Sequence, residues 1–423
     1  MTRLLIVSAL PPTAGGTGKA LMWGGLWRHA AGIAGPGNVR YLTIGRDEPD
    51  AATDVETTFI HSPRAPEQLR RVLGLALLRG RPFQEAALTS PRIARALRDE
   101  IRAFRPDRIL VDTDRFASAL PRDVADRTTV YLDDLFSVRY ARMLEVARAR
   151  PALDVDPLGN FASVLPGVAR DVVTVPSVRR ALLARERVAV QRRERTAPSR
   201  YRRVLLINPD EAQALREATG ATNVHVVPPL VRGPDVVARD LATDAPRFLF
   251  LGALNVPHND AGLVAYLREG FADLLGRVPG AVLTVVGRGA TDSLRHEAAR
   301  FPGRVELVGH VDDLDAAFAR AHALLVPLVF GSGVKIKVLD ALARGVPVVA
   351  TSFGAEGIAH AEGADPPIAV ADEWGAFNTA AARWAEPAAN RRASDAARRH
   401  YATHYAPDVV ARAYDIALGE GAG

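Results

Sequence analysis

The 423-residue chain contains no cysteine. That excludes disulfides, thiolate metal sites and thiol catalysis, and it fits a reducing compartment. Long apolar runs are missing too: none reaches the roughly 18–20 residues that a membrane span needs. The apolar run at the amino end, Leu4 to Leu10, stops at Pro11-Pro12 and reads as a buried first strand rather than a signal peptide. Aromatic residues make up only 6%, and no nucleic-acid motif is present, so a nucleic-acid partner is not expected. Lysine is nearly absent. Of 54 basic residues only Lys19, Lys335 and Lys337 are lysine. In a chain so committed to arginine, a retained lysine marks a place where a compact ammonium is wanted over a planar guanidinium.

What is present is ordinary globular composition, 48% hydrophobic and 24% charged. The length suggests two domains, each with its own core. The charge is uneven. Residues 1–230 hold 35 Lys and Arg against 25 Asp and Glu, whereas the remainder is net acidic. A basic amino half suits an anionic ligand or a membrane surface; a solvated arginine-rich face explains it equally well.

The carboxyl half alternates strands and helices. Runs such as RFLFLG (247–252), AVLTVVGRG (281–289), RVELVGHV (304–311), ALLVPLV (323–329) and PVVAT (347–351) read as buried strands. Helical spacing fills the gaps at 260–275, 291–300, 314–321 and 334–343. This predicts βαβ units with a parallel sheet covered on both faces. The amino half repeats the theme in LLIVSAL, YLTIG, RILVDTD, TTVYLDD and RVLLINPD, between arginine-rich helices at 66–79, 91–104 and 182–196. A linker fits residues 229–246, rich in Pro and Asp. The expected domains are 1–228, 247–400 and a carboxyl-terminal helix over 401–423 packing back on the first domain.

The segment FGSGVKIKVLD carries the clearest chemistry. Gly331 and Gly333 let the backbone approach a phosphate, and the following helix start offers free N–H groups and a positive dipole end. Lys335 is expected in the first turn, with Lys337 behind it. Asp340 stands where a carboxylate can accept from ribose hydroxyls. Together they spell a reader of diphosphate plus ribose; a glycine turn with two solvated lysines is the plain alternative.

This segment, with GAEGI at 354–358, resembles the retaining GT-B glycosyltransferases of family 4, also called glycosyltransferase group 1. Other stretches resemble that family in the right order: FLFLGALNVPHNDAG (248–262), AVLTVVGRG, VELVGHVDDL (305–314), VLLINPDEAQAL, VHVVPP and SALPPTAGGTGKAL. The resemblance is specific over residues 246–360 and weak over 40–200. It implies an α/β GT-B fold, two Rossmann-like domains with parallel sheets facing across a cleft. The implied activity is sugar transfer from a nucleoside diphosphate sugar to an acceptor hydroxyl, with retention and with no metal or further cofactor. It implies donor contacts from Gly15, Gly16, Lys19, Gly252, His258, Asn259, Gly287, Gly309, His310, Val311, Gly331, Ser332, Gly333, Lys335, Lys337 and Asp340. Lys335 and Lys337 are the best candidates for charge neutralisation on the leaving diphosphate. The expected setting is cytoplasmic, at the inner membrane face if the basic half binds lipid.

The departures from that pattern are specific. The family usually carries two acids eight positions apart; here they are Ser332 and Asp340. Ala253 and His258 stand where many members have arginine and lysine. His258-Asn259 also reads as a cap for the following helix. No catalytic base is legible, because RILVDTD offers Asp112 and Asp114 where many members place a histidine. DTD spells a manganese motif of another fold, and DDLFSVRY offers Asp133, Ser137, Arg139 and Tyr140 as acceptor-side residues or helix caps. GGTGKA fails the P-loop pattern, since Thr13 and Ala20 occupy two of its key positions. Two other functions stay open: an epimerase or pseudo-glycosyltransferase on the same fold, and a non-catalytic, membrane-associated partner.

Overall fold

The computed structural model describes residues 2–12, 18–48, 55–77, 79–149, 175–230, 238–241, 245–359 and 366–419. The described residues form two compact units. The first contains residues up to 144, 175–230 and 410 onward; the second runs mainly from 238 to 409. Gly15 and Gly16 lie outside the described residues, as does much of the expected linker at 229–246.

The first unit holds a seven-stranded sheet. Its strands are β1 (Leu4–Ser8), β2 (Val39–Gly45), β3 (Glu56–His61), β4 (Arg108–Asp112), β5 (Thr128–Asp133), β6 (Arg203–Leu206) and β7 (Val224–Val226). Their order is β3-β2-β1-β4-β5-β6-β7, all parallel. β1 is buried at every residue, which is what a continuous apolar run between two helical layers requires. The core on one side of this sheet joins Leu5, Val7, Val111, Val130 and Val204 to the helix Pro91–Phe104 through Ile93, Leu97 and Ile101.

The second unit holds six parallel strands. They are β8 (Arg247–Leu251), β9 (Val282–Val286), β10 (Val305–Gly309), β11 (Ala323–Val326), β12 (Val348–Ala350) and β13 (Ile368–Val370), in the order β10-β9-β8-β11-β12-β13. The chain leaves β8 toward β9 on one side and returns to β11 on the other. The carboxyl ends of β8 and β11 therefore flank a topological switch point, where open α/β sheets place their ligands.

Several boundaries differ from the sequence reading. One helix was expected over 260–275; there are two, Pro257–Glu269 and Phe271–Arg277. Gly270 separates them, and a Cβ there would meet Tyr266 at 2.9 Å and Trp374 at 3.0 Å. No single helix covers 401–423. One ends at His404, and Pro407, lacking an N–H, starts the next, Pro407–Leu418. Within the first unit, that last helix is held by Tyr414, which donates to Pro228 O at 2.9 Å, and by His29 and Asp415 at 2.7 Å. β3 and β13 were missed, because VETTFIH and PPIAV are short and only partly buried. No described helix is long and apolar enough to cross a membrane.

The helix Pro257–Glu269 lies close on the end of β11 because Gly262 has no side chain: a Cβ there would sit 2.5 Å from Pro327 O. A backbone carbonyl cannot step aside as a side chain can. Gly262→Ala should therefore destabilise the second unit by about 1–3 kcal/mol in urea titration, with little change in the first.

Candidate functional site

Three neighbouring strands of the second unit finish in glycine. Gly252 N donates to Val286 O at 3.0 Å, and Gly287 N donates to Gly309 O at 2.7 Å. A Cβ on Gly287 would stand 1.8 Å from Gly252 O, so only glycine lets these turns touch. The result is a rim of bare backbone along the carboxyl ends of β8, β9 and β10.

The loop after β11 closes the rim on its other side. Gly331 (φ 146) and Gly333 (φ 73) take backbone conformations that favour glycine. Lys335 does not sit in the first helical turn. It is the residue before the helix Ile336–Ala343, and its ammonium folds back onto its own loop. It donates to Ser332 O at 3.0 Å and to Gly333 O at 2.5 Å. Lys335 is thus a loop staple in this structure.

Lys337 is placed differently. Its Nζ donates to Asn259 Oδ1 at 2.7 Å and lies 4.2 Å from the ring centroid of Phe250. Asn259 does not cap its helix. The helix starts earlier, at Pro257 behind Val256, and the amide is used for another purpose. Its Nδ2 donates to Ala253 O at 2.9 Å, which fixes Oδ1 toward Lys337. A Cβ on Gly252 would stand 2.9 Å from Lys337 Nζ, so the ammonium fills the space above that glycine. Among the described residues no carboxylate pairs with Lys337. Burial, and then the charge of Lys335, push its pKa down to about 7.

His258 borders the same loop. Its Cβ is 4.0 Å from a Cβ built on Gly331, and its ring is near-perpendicular to Phe330, with centroids 6.4 Å apart. Neither Val256 nor Lys335 supplies a side-chain cap to the helix it precedes. Gly252, His258, Asn259, Gly331, Ser332, Gly333, Lys335 and Lys337 are therefore brought together at one switch point. Asp340 Oδ1 accepts from Arg344 at 3.2 Å, and Arg344 also bonds Asp315 at 2.7 Å. Burial raises the Asp340 pKa. His310 is exposed and 3.6 Å from Asp312, and Val311 is half-buried beside it.

In the first unit Lys19 lies 3.2 Å from Asp112, whose other oxygen accepts from Ser8 Oγ at 3.0 Å. Asp114 lies apart from this pair, 3.9 Å from Arg193, and burial raises its pKa to about 6. The two acids of DTD thus take separate partners. Among the described residues no group of three or more His, Asp or Glu side chains is placed to hold a metal ion. Asp133 has φ 73 and accepts from Tyr131 at 3.2 Å; burial raises it to about 6. None of Ser137, Arg139 and Tyr140 caps a helix with its side chain. Ser137 bonds Glu194, Arg139 pairs with Asp134 at 2.6 Å, and Tyr140 accepts from Gln84 at 3.3 Å. Of these three only Tyr140 lines a cavity with an empty volume of about 490 Å³, together with Asp114, Arg115, Phe136, Glu186 and Glu194. Burial raises both glutamates to about 7. The sequence reading missed them because a charged helix normally turns such residues to solvent.

Residues 245–386 match the family model described as Glycosyl transferases group 1. The phosphatidyl-myo-inositol mannosyltransferase of Mycolicibacterium smegmatis is 33% identical over 109 residues, 25% of this chain and 28% of that relative. The match thus spans under a third of the relative's length. Two solved structures align along almost the whole chain. Sucrose-phosphate synthase from Thermosynechococcus elongatus gives a TM-score of 0.63 at 15% identity, covering 97% of this chain and 96% of that one. The Anabaena HepE protein in complex with UDP gives 0.59 at 13%, covering 99% of each. The fold is that of the GT-B glycosyltransferases. Within it, residues 245–386 form a group 1 glycosyl transferase segment.

A half-buried ammonium with no described anionic partner costs stability when no ligand is present. Lys337→Met should therefore stabilise the unliganded protein by about 1–3 kcal/mol at pH 7. The sign follows from linkage. Between pH 7 and the usual lysine value of 10.5 the folded state binds fewer protons than the unfolded one, so wild-type stability rises with pH across that window. The advantage of Met should be fully present below pH 7 and shrink toward pH 10. Denaturant melts at pH 6, 8 and 10 check both the sign and the window.

Proposed function

We propose that the protein is a glycosyltransferase that moves a sugar from a nucleoside diphosphate sugar to an acceptor hydroxyl, with retention and without a metal ion. The observation that carries this reading is the Lys337 ammonium, held over Phe250 with no counter-charge among the described residues, at the switch point of a segment that matches the group 1 glycosyl transferase model. A diphosphate supplies the missing anion. The glycine rim allows the phosphates close approach, and the uncapped helix starts at Val256 and Lys335 present N–H groups to them. Neutralising charge on the departing diphosphate is the main work such a site does. Lys337 is the residue we assign to it; Lys335 holds the loop in shape and Gly252, Gly287 and Gly331 make room. His258, Asn259, Ser332 and Gly333 line the donor side, and Lys19, Gly309, His310, Val311 and Asp340 belong to the same reading less directly. Asp112, Asp114, Asp133, Ser137, Arg139 and Tyr140 are assigned to the acceptor side.

UDP is the first nucleotide to test, since the HepE structure holds it. A UDP- or GDP-sugar should be hydrolysed slowly by the wild type, with turnover unchanged by EDTA and the α-anomer released from an α-linked donor, as read by NMR. Lys337→Met should lower kcat/KM by about 100-fold or more, the usual scale for removing one charge-stabilising donor. Full activity in that variant, or inversion, contradicts the reading. The basic first 230 residues further suggest contact with an anionic membrane at the cytoplasmic face. Co-flotation with anionic but not neutral vesicles, lost above about 0.5 M salt, tests that part.

A further inference from the structure

The Lys337 pocket holds a cation that no described carboxylate balances. The Phe250 ring face beneath it is a weak attraction for a cation, Gly252 lies beside it, and among the described residues its one hydrogen bond is to a neutral amide, Asn259 Oδ1. Asn259 is itself fixed through Ala253 O and is buried. The ionisable groups on the surrounding elements do not correct the charge. Lys335, at the loop, adds a like charge. On the helix Pro257–Glu269, Asp260 accepts from Thr291 at 2.6 Å, and His258 beside it carries no negative charge. On its own helix, Asp340 is engaged by Arg344. β8 offers only Phe250 and Leu251 before Gly252.

We propose that binding of the donor diphosphate is coupled to uptake of one proton at Lys337 Nζ, and that Asn259 is the positioning residue that makes this coupling possible. The inference rests on the donor reading above and deepens it. A neutral amide can accept from the amine in either protonation state, because both carry N–H. A carboxylate at the same place would keep the ammonium charged at all times and would repel the phosphates. Asparagine therefore holds Nζ in position without supplying the charge, and leaves that to the ligand. The proton comes from solvent and binds the amine lone pair as the diphosphate enters; no other bond changes. Burial and Lys335 bring the amine to half-protonation at about pH 7 before the ligand arrives, which sets the range in which uptake is seen. Donor affinity should then fall as pH rises from 7 to 9, although the diphosphate itself is fully ionised there.

The test is calorimetry of UDP and GDP binding at pH 8, in buffers of different ionisation enthalpy. The slope of heat against buffer enthalpy counts protons. Wild type should take up more than about half a proton per nucleotide at pH 8, where an amine with its pKa pushed down to about 7 is mostly neutral. Lys337→Arg, whose guanidinium stays charged, should bind with no uptake, whichever way its affinity moves. In Asn259→Asp a carboxylate replaces the amide 2.7 Å from Nζ. This variant should show no uptake and an affinity at least tenfold weaker, with a flat pH profile. Equal uptake in wild type and Lys337→Arg overturns the proposal, and so does wild-type binding without uptake. Failure of both nucleotides to bind at any pH overturns the donor reading itself.

Discussion

The site depends on one unbalanced charge. Lys337 Nζ sits among Phe250, Gly252 and the Asn259 amide, and no described carboxylate answers it. Other described cations are treated otherwise. Arg193 is gripped by Glu85 through two bonds of 2.6 and 2.7 Å, and Arg139 by Asp134. Arg239 takes backbone carbonyls, at Gly345 and Ala321. Lys337, with no described anion beside it, is held at a cost that a bound anion would offset.

The rest of the second unit can be seen as support for that charge. Glycines at 252, 287 and 309 bring three strand ends together as bare backbone. Gly262 lets the helix carrying Asn259 sit against the end of β11. Lys335 ties its own loop, so two lysines two residues apart do different work: one bonds the loop carbonyls, the other reaches Asn259. The first unit holds its charge more evenly. Lys19 is balanced by Asp112, and the cavity near Phe136 is walled by carboxyls that burial drives toward neutrality.

Much of this was legible in the residues. Strand-helix alternation over 247–351 gave the second sheet almost strand by strand, because strands buried on both faces are continuous apolar runs that sequence shows directly. The scarcity of lysine pointed to 335 and 337. What the sequence hid was direction. Nothing in GSGVKIKVLD says that Lys335 turns back on Ser332 and Gly333 while Lys337 reaches Asn259, some 78 positions away in the chain. Likewise Asp340 looked like a ribose reader, but Arg344, one turn on, bonds its Oδ1. Short, half-buried β3 and β13 carried too little apolar signal to be seen.

Amide hydrogen exchange with and without UDP tests the central claim most directly, because it locates the ligand without assuming any residue. Binding at this site predicts slower exchange in residues 252–259 and 331–340, and unchanged exchange in β12, β13 and the helix Pro387–His404. Protection confined to other segments, with 331–340 unaffected, would contradict it.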